Sequence, residues 1–328
     1  MKVGQRVAET NPGRKRRRNE DSFVCDPPLF AVADGMGGAQ AGEVASSLAA
    51  NALKERGDDD GGDGERRVAE LIQEANRRVH QRALDDEAAS GMGTTMTVAL
   101  FHEDGAVAIG HVGDSRAYLL RDDALDQLTD DHSLVAELVR RGELSPEEAE
   151  VHPQRSVITR ALGTDPDVDV DTFTLQARAG DLFLLCSDGL TTMVDVETIT
   201  ALVAQHRHDL HAAARALIKE ANDRGGDDNI TTILFEIAEG VADDETVEVA
   251  IRAEDEDTLH PEDTLAIGDG DGDTSIITVE EIRSALEAEG EAETETPRVP
   301  LWRWFASALL IVALAALALL LVVRGLAR

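Results

Sequence analysis

The sequence predicts an α+β fold, with sheets sandwiched between pairs of helices, continued by an acidic linker and one apolar span. Three observations carry this expectation. Short apolar runs ending in Asp followed by Gly or Ser recur along residues 1 to 240 and read as buried strands. Segments with apolar residues at helical spacing lie between them and read as amphipathic helices whose stripes pack on a sheet. Near the C-terminus, Phe305 to Val323 runs for 19 residues without a charge.

The 328 residues carry a net charge of -34, unevenly spread. Residues 241 to 296 hold 20 Asp and Glu against Arg252 and Arg283, residues 297 to 328 carry +4, and residues 1 to 240 account for the remaining -20. Such a balance argues against nucleic acid and favours metal cations. Lysine is confined to Lys2, Lys15, Lys54 and Lys219. Cys25 and Cys186 both sit in apolar strands, which points to two small buried hydrophobes in a reducing compartment and gives no disulfide framework.

Residues 1 to 21 lack the apolar core of a signal peptide, so the folded region, residues 1 to 240, is expected in the cytosol. They carry the basic run Arg14 to Arg18, which in so acidic a chain fits one arginine presented to an anion better than a nucleic-acid patch. Leu29 to Asp34 is a strand that delivers a carboxylate into the turn Gly35-Met36-Gly37-Gly38, with Asp34 as a helix cap left as the alternative. Helices follow at Val44 to Ala52 and at Val68 to Val79, separated by the polar loop Gly57 to Gly64, for which calcium binding is the lesser reading.

Thr94 to Phe101, Gly105 to Val112 and Arg116 to Arg121 read as three strands joined by tight turns and hence paired antiparallel. Residues 131 to 163 are more polar and read as an inserted flap with helix starts near Leu134 and Ser145. Asp167 to Asp171 alternates at period two, as an edge strand does. Asp181 to Cys186 is another buried strand, ending at Ser187-Asp188-Gly189; residues 195 to 224 hold two helices, and Gly226-Asp227-Asp228-Asn229 opens a closing strand.

Residues 241 to 300 lose the apolar pattern and read as a mostly disordered linker. In residues 301 to 328, the span Phe305 to Val323 would extend roughly 28 Å as a helix, enough to cross a hydrocarbon core, with Trp302 and Trp304 at the interface. The expectation is a single-pass tail anchor that leaves the folded domain on the cytoplasmic face.

If Asp34, Asp114, Asp188 and Asp228 converge at one end of the sandwich, cations are the obvious offset to their repulsion. An all-oxygen ligand set suits Mg²⁺ or Mn²⁺ and speaks against zinc. Two such ions can activate a water and clamp a phosphoryl oxygen, and Arg16 would hold the remaining phosphate oxygens in its planar fork.

These residues carry a family resemblance. Arg16-x-x-Asn19-Glu20-Asp21, Ala33-Asp34-Gly35-Met36-Gly37-Gly38, Gly91-Met92-Gly93-Thr94-Thr95, Gly113-Asp114-Ser115-Arg116, Ser187-Asp188-Gly189 and Asp228-Asn229-Ile230-Thr231 form an ordered motif set. The set resembles that of bacterial metal-dependent (type 2C, PPM) serine/threonine protein phosphatases, across residues 5 to 238. The resemblance implies an α-β-β-α sandwich of two mainly antiparallel sheets flanked by helix pairs, and phosphoserine or phosphothreonine on proteins as substrate. It further implies that Asp34 bridges two metals, the Gly35 carbonyl assists, Asp188 and Asp228 complete one ion's protein ligands, Glu20 acts through water, Asp114 serves a third metal, and Arg16 binds phosphate. Mn²⁺ or Mg²⁺ is then the cofactor, phosphorylated proteins and their Ser/Thr kinase are the partners, and a monomer is expected. Met36 departs from the eukaryotic pattern, where a histidine proposed as general acid often stands; His132 and His152 in the flap are candidates for that proton, beside water, while His111 reads as a core residue.

Rival chemistries fare worse. A cysteine phosphatase needs Arg six residues after its Cys, and those positions hold Ala31 and Thr192. A membrane-tethered, non-catalytic signalling module of the same fold is the remaining alternative, and loss of a metal carboxylate would favour it. Within the linker, Asp269, Asp271, Asp273 and Glu280 stand at calcium-ligand positions of an EF-hand-like loop spanning 269 to 280, although Thr274 replaces the required Gly; a solvated acidic linker is preferred. Thr246, Thr258, Thr264 and Thr274, each after an acid, are candidate kinase sites.

Overall fold

Strand β3 (Leu29–Met36) has almost no polar face, because both of its faces are covered. Phe30 and Val32 face a second sheet, while Leu29, Ala31 and Ala33 face helices. The computed structural model describes residues 1–37, 41–56 and 63–239. Gly38, loop residues 57–62, the linker with Asp269, Asp271, Asp273 and Glu280, and the apolar span Phe305 to Val323 lie outside the described residues. Among the described residues no helix is long and apolar enough to cross a membrane.

Two antiparallel sheets form the centre. One runs in the order β1 (Lys2–Asn11), β11 (Ile230–Ala238), β10 (Leu182–Cys186), β7 (Arg116–Arg121), β8 (Ala124–Gln127). The other runs β2 (Asp21–Asp26), β3, β5 (Met96–Phe101), β6 (Ala106–Val112), β9 (Asp171–Gln176), with the two-residue β4 (Gly93–Thr94) paired to the end of β3. Between the sheets Phe235 stacks on Phe30 at 4.0 Å and on Phe183 at 4.9 Å.

Helices cover the outer faces. Helix α1 (Ala41–Arg56) lays Ala45, Ala49 and Leu53 on the second sheet; α2 (Gly64–Asp85) adds Val68, Ile72, Ala75 and Val79, and Asp63 caps its first turn by accepting from the Glu65 and Arg66 amides. On the first sheet lie α5 (Asp188–Thr191), α6 (Val196–Gln205) and α7 (Leu210–Asp223), whose Ile199, Val203, Ala214 and Leu217 are fully buried. Their helical spacing is the spacing read from the sequence, since burial against a flat sheet selects one stripe of a helix. The flap between β8 and β9 holds α3 (Leu134–Arg140) and α4 (Pro146–Glu150), the latter started by a reciprocal Ser145–Glu148 capping box.

Three expectations change. Strands β6 and β7 do not pair: β6 belongs to one sheet and β7 to the other, and Gly113-Asp114-Ser115 is the crossing between them. Gly113 makes the crossing at φ +110°, and a Cβ there would stand 2.6 Å from Thr95. The period-two run at Asp167 to Asp171 becomes strand only from Asp171 onward. Its first half is held against α2 instead, with Val168 buried in that helix's core and its carbonyl accepting from Gln73 Nε2. Asp34 caps no helix, because it lies inside β3, seven residues before α1 begins at Ala41. Strand β1 was invisible in the sequence, since its alternation is masked by polar residues on a half-covered strand that closes one edge of its sheet.

Candidate active site

The carboxylates meet because antiparallel pairing returns chain ends to one end of the sandwich. Asp21 opens β2 directly opposite Asp34. Cys186 pairs with Thr232, which sets Asp188 after β10 beside Asp228 before β11. Asp114 arrives from the sheet crossing.

Each is fixed through its backbone or its neighbours. Asp34 donates its amide to Thr95 Oγ1 at 2.9 Å, and its carbonyl accepts from Thr94 Oγ1 at 2.8 Å and from the Thr95 amide at 2.9 Å. At Gly35 a Cβ would lie 2.1 Å from the Gly42 carbonyl oxygen, so only glycine lets α1 approach β3 this closely. Glu20 sits in the same contact, its carbonyl accepting from the Gly35 amide at 3.2 Å and its carboxylate against Gly42. Asn229 ties the N-terminal loop to the β11 hinge: its Oδ1 accepts from the Glu20 amide at 2.8 Å, and its Nδ2 donates to the carbonyls of Pro12 and Arg18.

The electrostatics are those of crowded acids. Burial, then the charges of Asp21, Asp188, Asp228 and Asp114, hold the Asp34 carboxyl well above the usual carboxylate range. Burial and then Asp228 push Asp188 up to about 6, with the Arg16 and Arg116 charges opposing. Burial and then Asp188 and Asp131 raise Asp114, with Arg116 opposing. Asp34 and Asp188 nevertheless keep part of their surface open to solvent.

Arg16 donates to Asp228 Oδ2 at 2.9 Å, and Asp228 Oδ1 accepts from the Asn229 amide. Burial works against the guanidinium charge, but Asp228, then Asp34 and Glu20, outweigh it and raise the Arg16 pKa. Of the sequence-derived set, Asp34, Gly35, Asp114, Asp188, Asp228, Glu20 and Arg16 therefore all reach one region.

Two features were not singled out from sequence. Asp21, quoted there only within a motif, is a fifth carboxylate of the cluster: Ser187 Oγ and Thr231 Oγ1 donate to its Oδ2 at 2.8 and 2.6 Å, yet burial together with Asp188 and Asp228 still lifts it to about 7. Arg116, last residue of Gly113-Asp114-Ser115-Arg116, grips Asp131 in a two-point pair of 2.8 and 2.7 Å and lends positive potential to Asp114 and Asp188. Only the motif position of these two residues could have signalled them.

The donor set fits hard divalent cations. It is all oxygen, and Asp188 Oδ1 and Asp21 Oδ1 are buried atoms with no hydrogen-bond partner. Among the described residues no three His, Cys, Asp or Glu side chains close by themselves into a finished cage.

The histidines sort differently. His111, 1% exposed, bonds Thr97 Oγ1 and the Asp130 carbonyl, and burial followed by His132 pushes it down to about 3, so it is a core residue. His132 has both ring nitrogens engaged, by the Gly113 amide and by Asp171, which commits its ring proton to Asp171 and away from a substrate. Met36 packs with Ile158 and Ala161 at the flap's return, so this position anchors the flap by apolar contact.

Comparison with known proteins places this geometry. A family model described as Protein phosphatase 2C matches residues 14–234. A serine/threonine phosphatase stp of Listeria monocytogenes is 41% identical over 237 residues, covering 69% of this chain and 93% of that protein. The serine/threonine protein phosphatase PstP of Mycobacterium tuberculosis is 42% identical over 234 residues, 71% of this chain and 45% of that one. The crystal structure of the M. tuberculosis phosphatase PstP/Ppp superposes with a TM-score of 0.69 at 40% identity, covering 72% of this chain and all of that one. A structure of the PstP catalytic domain in complex with two manganese ions gives 0.67 at 38% identity, covering 72% of this chain and 99% of that one.

Proposed function

Because the chain belongs to the protein phosphatase 2C family, we propose a division of labour among its residues in the hydrolysis of phosphoserine and phosphothreonine on proteins. Asp34, Asp188 and Asp228, with the Gly35 carbonyl, hold two Mn²⁺ or Mg²⁺ ions; Glu20 acts on them through water, and Asp114 serves a third. When bound, these ions supply an activated water and neutralise charge on the transferring phosphoryl group. Arg16, held beside Asp228, presents its planar fork to the phosphate oxygens and orients the ester. Met36 carries no transferable proton and both His132 nitrogens are engaged, which leaves water, or His152 in the flap, to protonate the departing serine or threonine oxygen.

The observation that carries this reading is the convergence of Asp34, Asp114, Asp188 and Asp228 with an orphaned Asp188 Oδ1. The same set disfavours a non-catalytic module of this fold, which would have no need to keep the carboxylates. A Ser/Thr kinase supplies the substrates, and the catalytic domain works as a monomer. The uncharged span Phe305 to Val323 is long enough to cross a hydrocarbon core and supports a membrane anchor; the side we propose for the catalytic domain is the cytoplasmic one, where anionic lipid headgroups would hold off the acidic linker. The test is phosphothreonine-peptide hydrolysis by the full chain with Mn²⁺ and with EDTA. Turnover should require the ion and vanish in Asp34→Asn and Asp188→Asn; activity surviving exhaustive chelation would overturn the two-metal account.

A further inference from the structure

His132 makes an unusual clasp around the residue that precedes Asp114. Its amide donates to the Gly113 carbonyl at 2.8 Å, and its Nδ1 accepts from the Gly113 amide at 3.0 Å. One flap residue thus satisfies both polar groups of the glycine on which the chain crosses from β6 to β7. Because Nδ1 accepts, the proton resides on Nε2, which faces Asp171 Oδ2 at 3.0 Å. Arg160 Nη1, also 3.0 Å from Nε2, directs its hydrogen to Asp171 Oδ1 at 2.6 Å, since Nε2 already carries its own.

The ring cannot drift. His132 is 2% exposed and lies 4.7 Å from the His111 ring, which is held in turn by Thr97. The His132 carbonyl accepts from the Thr159 amide at 2.9 Å, so both ends of the flap are stitched here. Nothing in cation binding or phosphate binding calls on this ring directly. Its Nδ1 bond and its amide bond end on the backbone that aims Asp114.

We propose that His132 is the positioning residue for Asp114: by clasping Gly113 on both sides of its Cα, it fixes the crossing that directs the Asp114 carboxylate into the acid cluster. The proposal rests on Asp114 serving a cation, as set out above. Loss of Nδ1 leaves the buried Gly113 amide without a partner and frees a glycine backbone to rotate. Asp114 then spends part of its time pointing elsewhere, and the ion it serves is held more weakly.

The experiment is direct Mn²⁺ binding to the metal-stripped full chain, by titration calorimetry and by the loss of the free Mn²⁺ paramagnetic resonance signal. Asp114→Ala removes one class of bound Mn²⁺. His132→Ala weakens that same class by roughly tenfold, about 1.4 kcal/mol, and adds nothing further in an Asp114→Ala background. His132→Asn, whose Oδ1 falls near the Nδ1 position and accepts the Gly113 amide, stays within about threefold of the parent. His132→Gln, whose amide reaches the Nε2 position instead, behaves like alanine. The Asn and Gln variants decide the matter even where the alanine variant does not fold. Equal Mn²⁺ affinities for the Asn and Gln variants, or a His132→Ala effect that simply adds to that of Asp114→Ala, overturns the positioning role while leaving Asp114 a ligand. Unchanged Mn²⁺ binding in Asp114→Ala overturns the reading of Asp114 itself.

Discussion

Acidification of the metal-stripped full chain from about pH 7.5 to about pH 5.5 should weaken Mn²⁺ binding by between about 4-fold and about 100-fold. A carboxylate must be ionised to hold the cation, and in the cation-free cluster Asp188 is raised from 3.8 to about 6 and Asp21 to about 7. If Asp188 alone must lose its proton, the change in its ionised fraction across that window is about 4-fold; if Asp21 must as well, a further factor of about 25 applies. Asp34, held well above the usual range, adds in the same direction.

The sign for stability follows from the same shifts. These carboxyls bind protons more tightly folded than unfolded, so their cost to the cation-free fold sets in above the ordinary 3.8 and is complete only above about 7. His111 works oppositely: pushed down to about 3, it costs stability as pH falls below its ordinary 6.5. A melting curve of stripped protein mixes the two, whereas the difference with and without Mn²⁺ isolates the carboxylates and should widen with pH. Calorimetric titration in two buffers of different ionisation enthalpy counts the protons released. Affinity that stays flat across the window, with no proton released, would refute the assignment of these acids to a cation.

Arg16→Ala should raise the Michaelis constant for a phosphopeptide by roughly tenfold or more, through loss of a charged two-point contact; an unchanged constant with only the turnover rate lowered contradicts its phosphate role. Phe235→Ala opens a hole between Phe30 and Phe183 and should cost about 3–5 kcal/mol in denaturant unfolding, and a loss below about 1 kcal/mol would mean that this stack does not hold the sheets together. In intact spheroplasts the catalytic domain should resist added protease until lysis; digestion without lysis would place it outside the membrane.

Much of the site was legible because its chemistry is local in the chain. Asp34, Asp114, Asp188 and Asp228 each stand at or close to the end of an apolar run beside glycine, serine or asparagine, a pattern that the sequence exposes. The helices α1, α2, α6 and α7 were legible for a related reason: each buries a single stripe, so the 3.6-residue period survives in the sequence. Strand β1 gave no such signal, because a half-covered edge strand accepts polar residues on much of its length.

What the amino-acid order determines by itself is therefore which side chains can do chemistry and which segments are strand or helix. Only the tertiary structure decides their pairing and their charge states. A three-residue link looks the same in sequence whether it closes a hairpin or crosses between sheets, and Gly113 crosses because the next strand pairs with β10 in the other sheet. Asp21 reads as one more acid in a motif, yet burial beside Asp188 and Asp228 lifts it to about 7. His132 reads as a free flap histidine, yet Gly113 on one side and Asp171 on the other take both its nitrogens. Each of these depends on residues distant in the chain, and the energy of a desolvated charge or a buried hydrogen bond is set by its neighbours in space.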